Sequence, residues 1–146
     1  MATETLAAEI AIYTTLAADA TLTALLSTTS DGKPAIYPGH APQGATYPFL
    51  ILAQLSGQDQ QPLMTYRAQS RFRYLISAIN AVQDITTLDS MLSRIDTLLN
   101  VQSVITSGLL VSFLRYQPPL PAYDPDLGKE YRKVTAGYWV YVTHTS

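Results

Sequence analysis

The stretch Gly39-His-Ala-Pro-Gln-Gly44 has the glycine spacing of a phosphate-binding loop. Such a loop requires lysine directly after the second glycine and a helix behind it, because backbone N–H groups and the helix N-terminus must face the phosphate. Ala45 occupies the lysine position, and Pro42 has no N–H to offer. An apolar run typical of a strand follows. The sequence therefore disfavours a nucleotide site at this loop.

The sequence does not support a metal site or a nucleophilic catalytic site either. The chain has no cysteine and two histidines, His40 and His144, which excludes cysteine-ligated zinc, iron–sulfur clusters and thiol catalysis. Asp124 and Asp126 flank Pro125, a spacing that favours an Asx turn over a metal pair. A Ser–His–Asp set could be chosen from any chain this rich in serine, so it has no weight. We predict a protein that is not an enzyme and needs no cofactor or metal.

The composition favours a surface that meets other proteins. Of the 146 residues, 47% are hydrophobic and 14% are charged, whereas about 25% of a typical soluble domain is charged. Tyrosine and threonine fill much of the difference, and tyrosine is enriched at protein interfaces. A source organism that favours alanine and threonine is the alternative explanation. The formal charge of −2 argues against a general nucleic-acid binder.

The length and the apolar runs bound the organisation of the chain. A chain of 146 residues suits one domain, residues 1–146. No apolar run approaches the length of a membrane span, so we expect no membrane partner. The first ten residues, MATETLAAEI, lack the basic start and apolar core of a signal peptide. We therefore expect synthesis in the host cytoplasm.

Two segments have helical periodicity. The first, residues 3–26, has four apolar residues at helical spacing: Leu6, Ile10, Tyr13 and Ala17. A break at Ala18-Asp19-Ala20 precedes a short second turn. The second segment begins at Thr86 or Thr87 and ends at Asn100, with one apolar face made by Leu88, Leu92, Ile95 and Leu99.

Four segments have the composition of strands: residues 48–55, 66–80, 108–116 and 129–143. The second of these is the longest, and its even positions form a core face while its odd positions form a solvent face. The order helix, strands, helix, strands predicts an α+β fold. We expect a mainly antiparallel sheet with two main helices packed on one face.

Three arginines, Arg67, Arg71 and Arg73, lie on the odd face of the long strand. They could be solvated side chains that discourage edge pairing of the strand. They could also pair with acidic residues of an adjacent subunit, since the guanidinium fork binds carboxylates with two hydrogen bonds. A direct contact with DNA is a third reading.

The last predicted strand has apolar residues on both faces near its end. Its even positions form a core stripe, while Trp139 and Tyr141 lie on the opposite face. A central strand covered on both sides would explain this pattern. A strand with one face on its own core and the other against a partner would also explain it, because Trp and Tyr are favoured interface anchors.

The order of the motifs resembles the tail-completion family of long-tailed bacteriophages, the tail-terminator or tail-to-head joining proteins. The resemblance rests on Asp19 to Leu26, on the Tyr-Pro-Gly, Ala-Pro-Gln-Gly and Tyr-Pro motifs within residues 36–52, on Tyr123-Asp124-Pro125, and on the closing strand. Seven residues are expected to act as structural turns that lead the chain into its strands: Pro38, Gly39, Pro42, Gly44, Pro48, Pro125 and Gly128.

The resemblance implies a non-enzymatic virion protein at the neck, or tail end, of the particle. It implies a homo-oligomeric ring, typically a hexamer, that caps the tail tube and joins it to the head connector or completion protein. Genomic DNA would pass through the channel without sequence-specific binding. The family offers no catalytic residues to transfer.

Two other functions stay open from the sequence. The first is a head-completion adaptor or minor tail protein of the neck, which would share the low surface charge. The second, from a different class, is a small-ligand-binding or enzymatic α+β domain, which requires a pocket with converging polar groups. We predict that Arg67, Arg71, Arg73, Trp139 and Tyr141 belong to a subunit or partner interface.

Overall fold

The computed structural model describes residues 4–29, 31–42, 45–60, 69–81, 85–106, 108–121 and 131–144. These residues contain three helices and six strands. In chain order they are α1 (Glu4–Ala17), α2 (Ala20–Thr23), β1 (Ile36–Pro38), β2 (Phe49–Gln60), β3 (Gln69–Ala81), α3 (Ile85–Leu99), β4 (Ser103–Thr106), β5 (Leu109–Pro121) and β6 (Tyr131–His144).

The six strands form one sheet in the order β1-β2-β3-β6-β5-β4. The pairs β2–β3, β3–β6, β5–β6 and β4–β5 are antiparallel, as predicted. The pair β1–β2 is parallel, so the sheet is mixed rather than antiparallel throughout. The short α2 adds a third helix to the two that were expected.

The sheet has an inner face covered by the helices and an outer face on the other side. Even-numbered residues of β3 and β6 point inward, and most of them are buried: Phe72, Tyr74, Ile76, Ala78, Ala136, Tyr138, Val140 and Val142. These residues form one apolar cluster with buried side chains of α1, α2 and α3. The predicted period-two pattern of both strands is therefore confirmed where the structure describes them.

The inward face of α1 differs from the prediction. The helix buries Ala7, Ala8, Ala11, Ile12 and Leu16. Of the predicted stripe, Leu6 and Ile10 face outward and are 52% and 47% exposed, while Tyr13 and Ala17 are partly buried and pack against the core. Periodicity alone could not identify the buried side, since apolar residues occur on both sides of the helix.

The predicted inward face of α3 is confirmed, because Leu88, Leu92, Ile95 and Leu99 are all buried. The helix begins at Ile85, so Thr86 and Thr87 lie in its first turn and do not cap it. It ends at Leu99, next to the predicted stop at Asn100. The Asn100 Oδ1 accepts a hydrogen bond from the Arg115 backbone N–H at 3.1 Å, which ties this end to β5.

Several strands are longer or more numerous than the composition indicated. β2 continues through residues 56–60, which were expected to be a polar loop. β4 was not predicted. β5 continues through Pro118, Pro119 and Pro121. Prolines are tolerated at an open edge because they have no N–H to donate. β4 covers β5 only at Leu109–Ser112, so the later part of β5 has no β4 neighbour.

Asp19 links the end of α1 to α3. Its Oδ2 accepts the Leu22 N–H at 2.8 Å and so caps α2. The Arg94 guanidinium of α3 binds the same carboxylate through both oxygens, with Nε at 2.8 Å and Nη2 at 2.7 Å. These hydrogen bonds from Arg94 are the main reason why the pKa of Asp19 lies below its usual value. The predicted break after α1 is thus a fixed corner.

We expect Asp19→Asn to lower stability at neutral pH but not at low pH. The substitution keeps a capping oxygen and removes the charge that holds Arg94. Because the folded-state pKa of Asp19 is depressed, its contribution is present above the unfolded pKa, which is about 3.9. It is lost as the pH falls through the still lower folded pKa. Urea unfolding at several pH values measures this difference.

The control for this prediction is Asp89→Asn, which removes an exposed carboxylate on α3. Its effect on the free energy of unfolding should be small at every pH. A gap between the native protein and Asp19→Asn that persists below both pKa values would contradict the role assigned to the ion pair.

We expect Val101→Gly to stabilise the protein. Val101 has a φ of 61°, in the left-handed region, directly after α3. That conformation destabilises a residue with a Cβ by about 1–2 kcal/mol, and glycine relieves this strain. Part of the stability gained is offset, because glycine has more backbone freedom in the unfolded state. The Val101 side chain is 74% exposed, so little packing is lost. A rise of up to about 1 kcal/mol in the free energy of unfolding is expected.

The matched control is Val101→Ala, which shortens the same side chain but keeps a Cβ. It should raise the free energy of unfolding much less than Val101→Gly does in the same urea titration. If glycine lowers the free energy of unfolding below that of the alanine variant, the left-handed backbone is not a source of strain.

Candidate functional site

The outer face of the sheet is divided into two parts, which we call the sealed half and the open half. The sealed half is a second apolar cluster built on Ala35, Phe49 and Ile79. Partly buried residues pack against it: Tyr37, Ala41, Ala45, Tyr47 and Ile51. Most of these come from the proline-rich segment before β2. That segment therefore covers one end of the outer face with its own side chains.

Backbone hydrogen bonds hold this covering segment. Gly39, with a φ of 84°, donates its N–H to Leu52 at 2.7 Å, directly after Pro38 ends β1. The Pro48 carbonyl accepts the Ser27 N–H at 2.9 Å, and the Tyr47–Pro48 peptide bond is cis. Pro42 is exposed, and its carbonyl accepts the Ala45 N–H at 3.2 Å. The predicted turn residues Gly44, Pro125 and Gly128 lie outside the described residues.

The open half is centred on the register between β3 and β6. Arg71 lies opposite Tyr141, and Arg73 lies opposite Trp139. Both guanidinium groups pack over the indole ring of Trp139, at 4.4 Å for Arg71 and 5.6 Å for Arg73, measured from Cζ to the ring centroid. A cation over an aromatic face is attracted by the negative face of the ring. The structure thus brings four of the five predicted interface residues together; Arg67 lies outside the described residues.

A third aromatic ring, Tyr116 of β5, completes the open half. Its centroid lies 5.1 Å from that of Trp139, and the Cζ of Arg73 lies 5.1 Å from the Tyr116 ring. The register of β5 shifts between Arg115 and Gln117, which places Tyr116 at an irregularity. Gly137 makes room for the ring, because a Cβ there would lie 2.7 Å from the Tyr116 Cζ. Tyr116 was not among the predicted interface residues, although a glycine inside an apolar strand can indicate such a close approach.

Cation–π packing leaves the guanidinium edge of Arg73 available for other contacts. A guanidinium stacked on a ring uses its flat face, while its N–H donors point outward in its plane. Arg73 forms no ion pair with any residue that the structure describes, and its buried Nε has no hydrogen-bond partner there. Leu114, 44% exposed and opposite Trp139, adds an apolar rim. The surface thus combines a guanidinium group, which is a donor for carboxylates, with an exposed apolar side chain.

The inner side of the molecule uses its charges differently. Arg115 of β5 pairs with Asp96 of α3 at 3.2 Å, and the Tyr138 hydroxyl donates to the same carboxylate at 3.4 Å. Burial raises the pKa of Tyr138 well above its usual value. Burial also raises the pKa of Tyr74 to about 12, with a smaller contribution from Glu9. These groups hold helices to the sheet, and both phenols stay protonated at neutral pH.

The described ranges contain no cluster of three or more metal-ligating side chains. An open groove of about 710 Å³ lies between α1 and the segment before β2, where it is bordered by Tyr13, Thr28, Tyr37, Asp31 and Lys33 among others. Asp31 and Lys33 are its charged residues, and both are exposed. In the part of the chain that is described, no helix is both long and apolar enough to cross a membrane.

Comparison with known proteins gives a likeness of fold. No family model matches the sequence, and no curated protein does. Among solved structures, the chain is similar to one from the virion of a native gene transfer agent particle, with a TM-score of 0.65 and 16% identity. The match covers 90% of this chain and 91% of that one.

A second solved structure, described without a function, matches with a TM-score of 0.54 and 12% identity, over 94% of this chain and 96% of the other. At these identities the likeness concerns the fold alone. Over nearly its whole length, the chain therefore shares its fold with a component of a virion particle.

Proposed function

We propose that this protein is a non-enzymatic structural component of a phage-like virion. The observation that carries the proposal is the fold likeness to a chain of a gene transfer agent virion, which covers 90% of this chain. A match of that extent includes the helices, the sheet and the long strands together. It supports the assembly of this protein with other virion proteins.

Within the virion, we assign the protein to the tail end of the neck, as a ring that caps the tail tube and joins the head connector. The order of sequence motifs, which resembles tail-completion proteins, supports this finer assignment. The segment before β2 also supports it, because its prolines preset backbone angles and lessen the entropy lost on ordering. A segment fixed in this way presents the same surface in every copy of a ring.

The open half of the outer face supports a role in protein–protein contact. Trp, Tyr and Arg are the residue types enriched among residues that dominate binding energy. Here Arg73, Tyr116 and Trp139 contact one another, with Leu114 at the rim. In a chain with only 14% charged residues, two arginines on one strand face are a concentrated feature. Burial of this patch against a partner would exclude water from its cations.

The test of the neck assignment is electron microscopy of the purified protein, alone and after incubation with tail tubes or with heads. A tail terminator should form rings about as wide as the tube and should occupy tube ends. Binding to heads alone would indicate a head-completion adaptor. A chain that stays monomeric with both tubes and heads would contradict the virion proposal and would favour the small-ligand class.

We expect the variant that combines Trp139→Ala with Tyr141→Ala to cap tail tubes poorly. Loss of an interface anchor removes about 2 kcal/mol, which corresponds to roughly 30-fold weaker binding. Tube-end occupancy measured against protein concentration gives this ratio. Because Trp139 also supports two arginines, Leu114→Ser serves as a milder second variant at the rim.

Val101→Ser is the matched control, since Val101 is exposed and lies outside the open half. It should cap tubes as the native protein does. If both open-half variants unfold cooperatively like the native chain and still occupy tube ends with native affinity, the open half is not an interface.

A further inference from the structure

The exposed side of α1 has two large apolar side chains one turn apart. Leu6 and Ile10 are 52% and 47% exposed, whereas Tyr13 and Ala17, further along the helix, are partly buried against the core. The opposite side of α1 buries Ala7, Ala8, Ala11, Ile12 and Leu16. Large apolar side chains that lie together on a surface rimmed by polar groups can mark a contact site. The outward stripe of α1 is defined as Leu6 and Ile10.

Cations lie on both sides of the sheet. The outer face has three, Arg71, Arg73 and Lys133, at positions that alternate with the buried residues. On the helical side, Arg94 and Arg115 are paired with aspartates, and Arg132 is exposed at an even position of β6. Glu9 of α1 is acidic, partly exposed, and forms no ion pair with the residues that are described.

Glu9 lies beside the outward stripe of α1. It directly precedes Ile10 and is three residues from Leu6, a spacing that puts neighbours on one helix surface. It also borders a small groove with Tyr74 and Gln54 near β2. The stripe is thus an apolar surface with a carboxylate at its margin. The open half is its complement, an apolar and aromatic surface with guanidinium groups.

We infer that the outward stripe of α1 in one copy docks on the open half of the outer face in the next copy. This inference rests on the proposed function, because it names the contact that would build the ring. In this docking Leu6 and Ile10 pack against Leu114 and the aromatic rings, and the Glu9 carboxylate binds the guanidinium edge of Arg73. The pairing satisfies two surfaces that each copy leaves exposed.

The positions of the two patches on one copy determine whether the assembly is symmetric or head-to-tail. The stripe and the open half lie on opposite sides of one copy, since α1 packs on the inner face of the sheet. Contact between two different patches is heterologous, so each copy has one free patch for the next. Such a contact produces a closed ring when its rotation closes and an open filament when it does not. A symmetric dimer would leave both patches unused.

The test uses disulfide cross-linking, which is clean because the chain has no cysteine. The variant that combines Ile10→Cys with Leu114→Cys is oxidised during assembly, with tail tubes present, and resolved under non-reducing conditions. A ladder of cross-linked multimers is expected. In a mixture of the two single variants, only Ile10→Cys joined to Leu114→Cys should appear, without cross-links between identical variants.

Leu120→Cys in place of Leu114→Cys is the matched control. Leu120 lies on the same strand with similar exposure, 50% against 44%, but about 20 Å further along at 3.3 Å per residue. It should give no ladder. A second measurement swaps charges: Glu9→Arg and Arg73→Glu should each reduce multimers, and the two changes in one chain should restore them.

The outcomes separate this inference from the proposed function. Rings or capped tubes without a cross-link between positions 10 and 114 would overturn the docking and leave the neck role intact. Cross-linking of position 114 to the tube protein alone would also overturn it. A ladder in a protein that caps no tube and forms no ring would keep the surface pairing and contradict the neck role.

Discussion

The pairing of β3 with β6 is the constraint on which the rest of the structure depends. All thirteen residues of β3 pair with β6, from Gln69 opposite Thr143 to Ala81 opposite Tyr131. Because side chains alternate between faces, a slip of one residue would exchange every side chain of a strand between core and surface. Such a slip would bury Arg73 and expose Tyr74. The burial of Phe72, Tyr74 and Ile76 under the helices is therefore what fixes the arginines outside.

A sheet covered by helices on one side still has a second face to manage, and this protein does so in two ways. At one end the segment before β2 folds over Phe49 and Ile79 and forms a small core of its own. At the other end the guanidinium groups of Arg71 and Arg73 pack over the rings of Tyr116 and Trp139. These cations cover part of the aromatic surface. The sealed half is therefore covered by the chain itself, and the open half remains partly exposed.

Helix α1 also has a covered side and an exposed side. Its inward side buries the alanines at positions 7, 8 and 11 together with Ile12 and Leu16, while Leu6 and Ile10 lie on the opposite side. The hydrogen bonds between Asp19 and Arg94 join the end of this helix to α3, so the helical layer is linked by charge as well as by packing.

The sequence by itself determined the elements whose pattern is strong. The alternation in β3, the even-numbered core stripe of β6 and the single apolar face of α3 predicted those elements and their buried sides. The sequence also predicted that Arg71 and Arg73 share one strand face and that Trp139 and Tyr141 share a face of another strand. The pairing of β3 with β6, which the tertiary structure decided, brings the four residues together. Only the tertiary structure decided which side of α1 packs inward, because apolar residues occur on both sides of the helix. Tertiary pairing likewise decided that β1 is parallel, that prolines continue β5 along an open edge, and that Tyr116 joins the cluster through the space left by Gly137. Those features depend on contacts between residues far apart in the chain, which no local pattern contains.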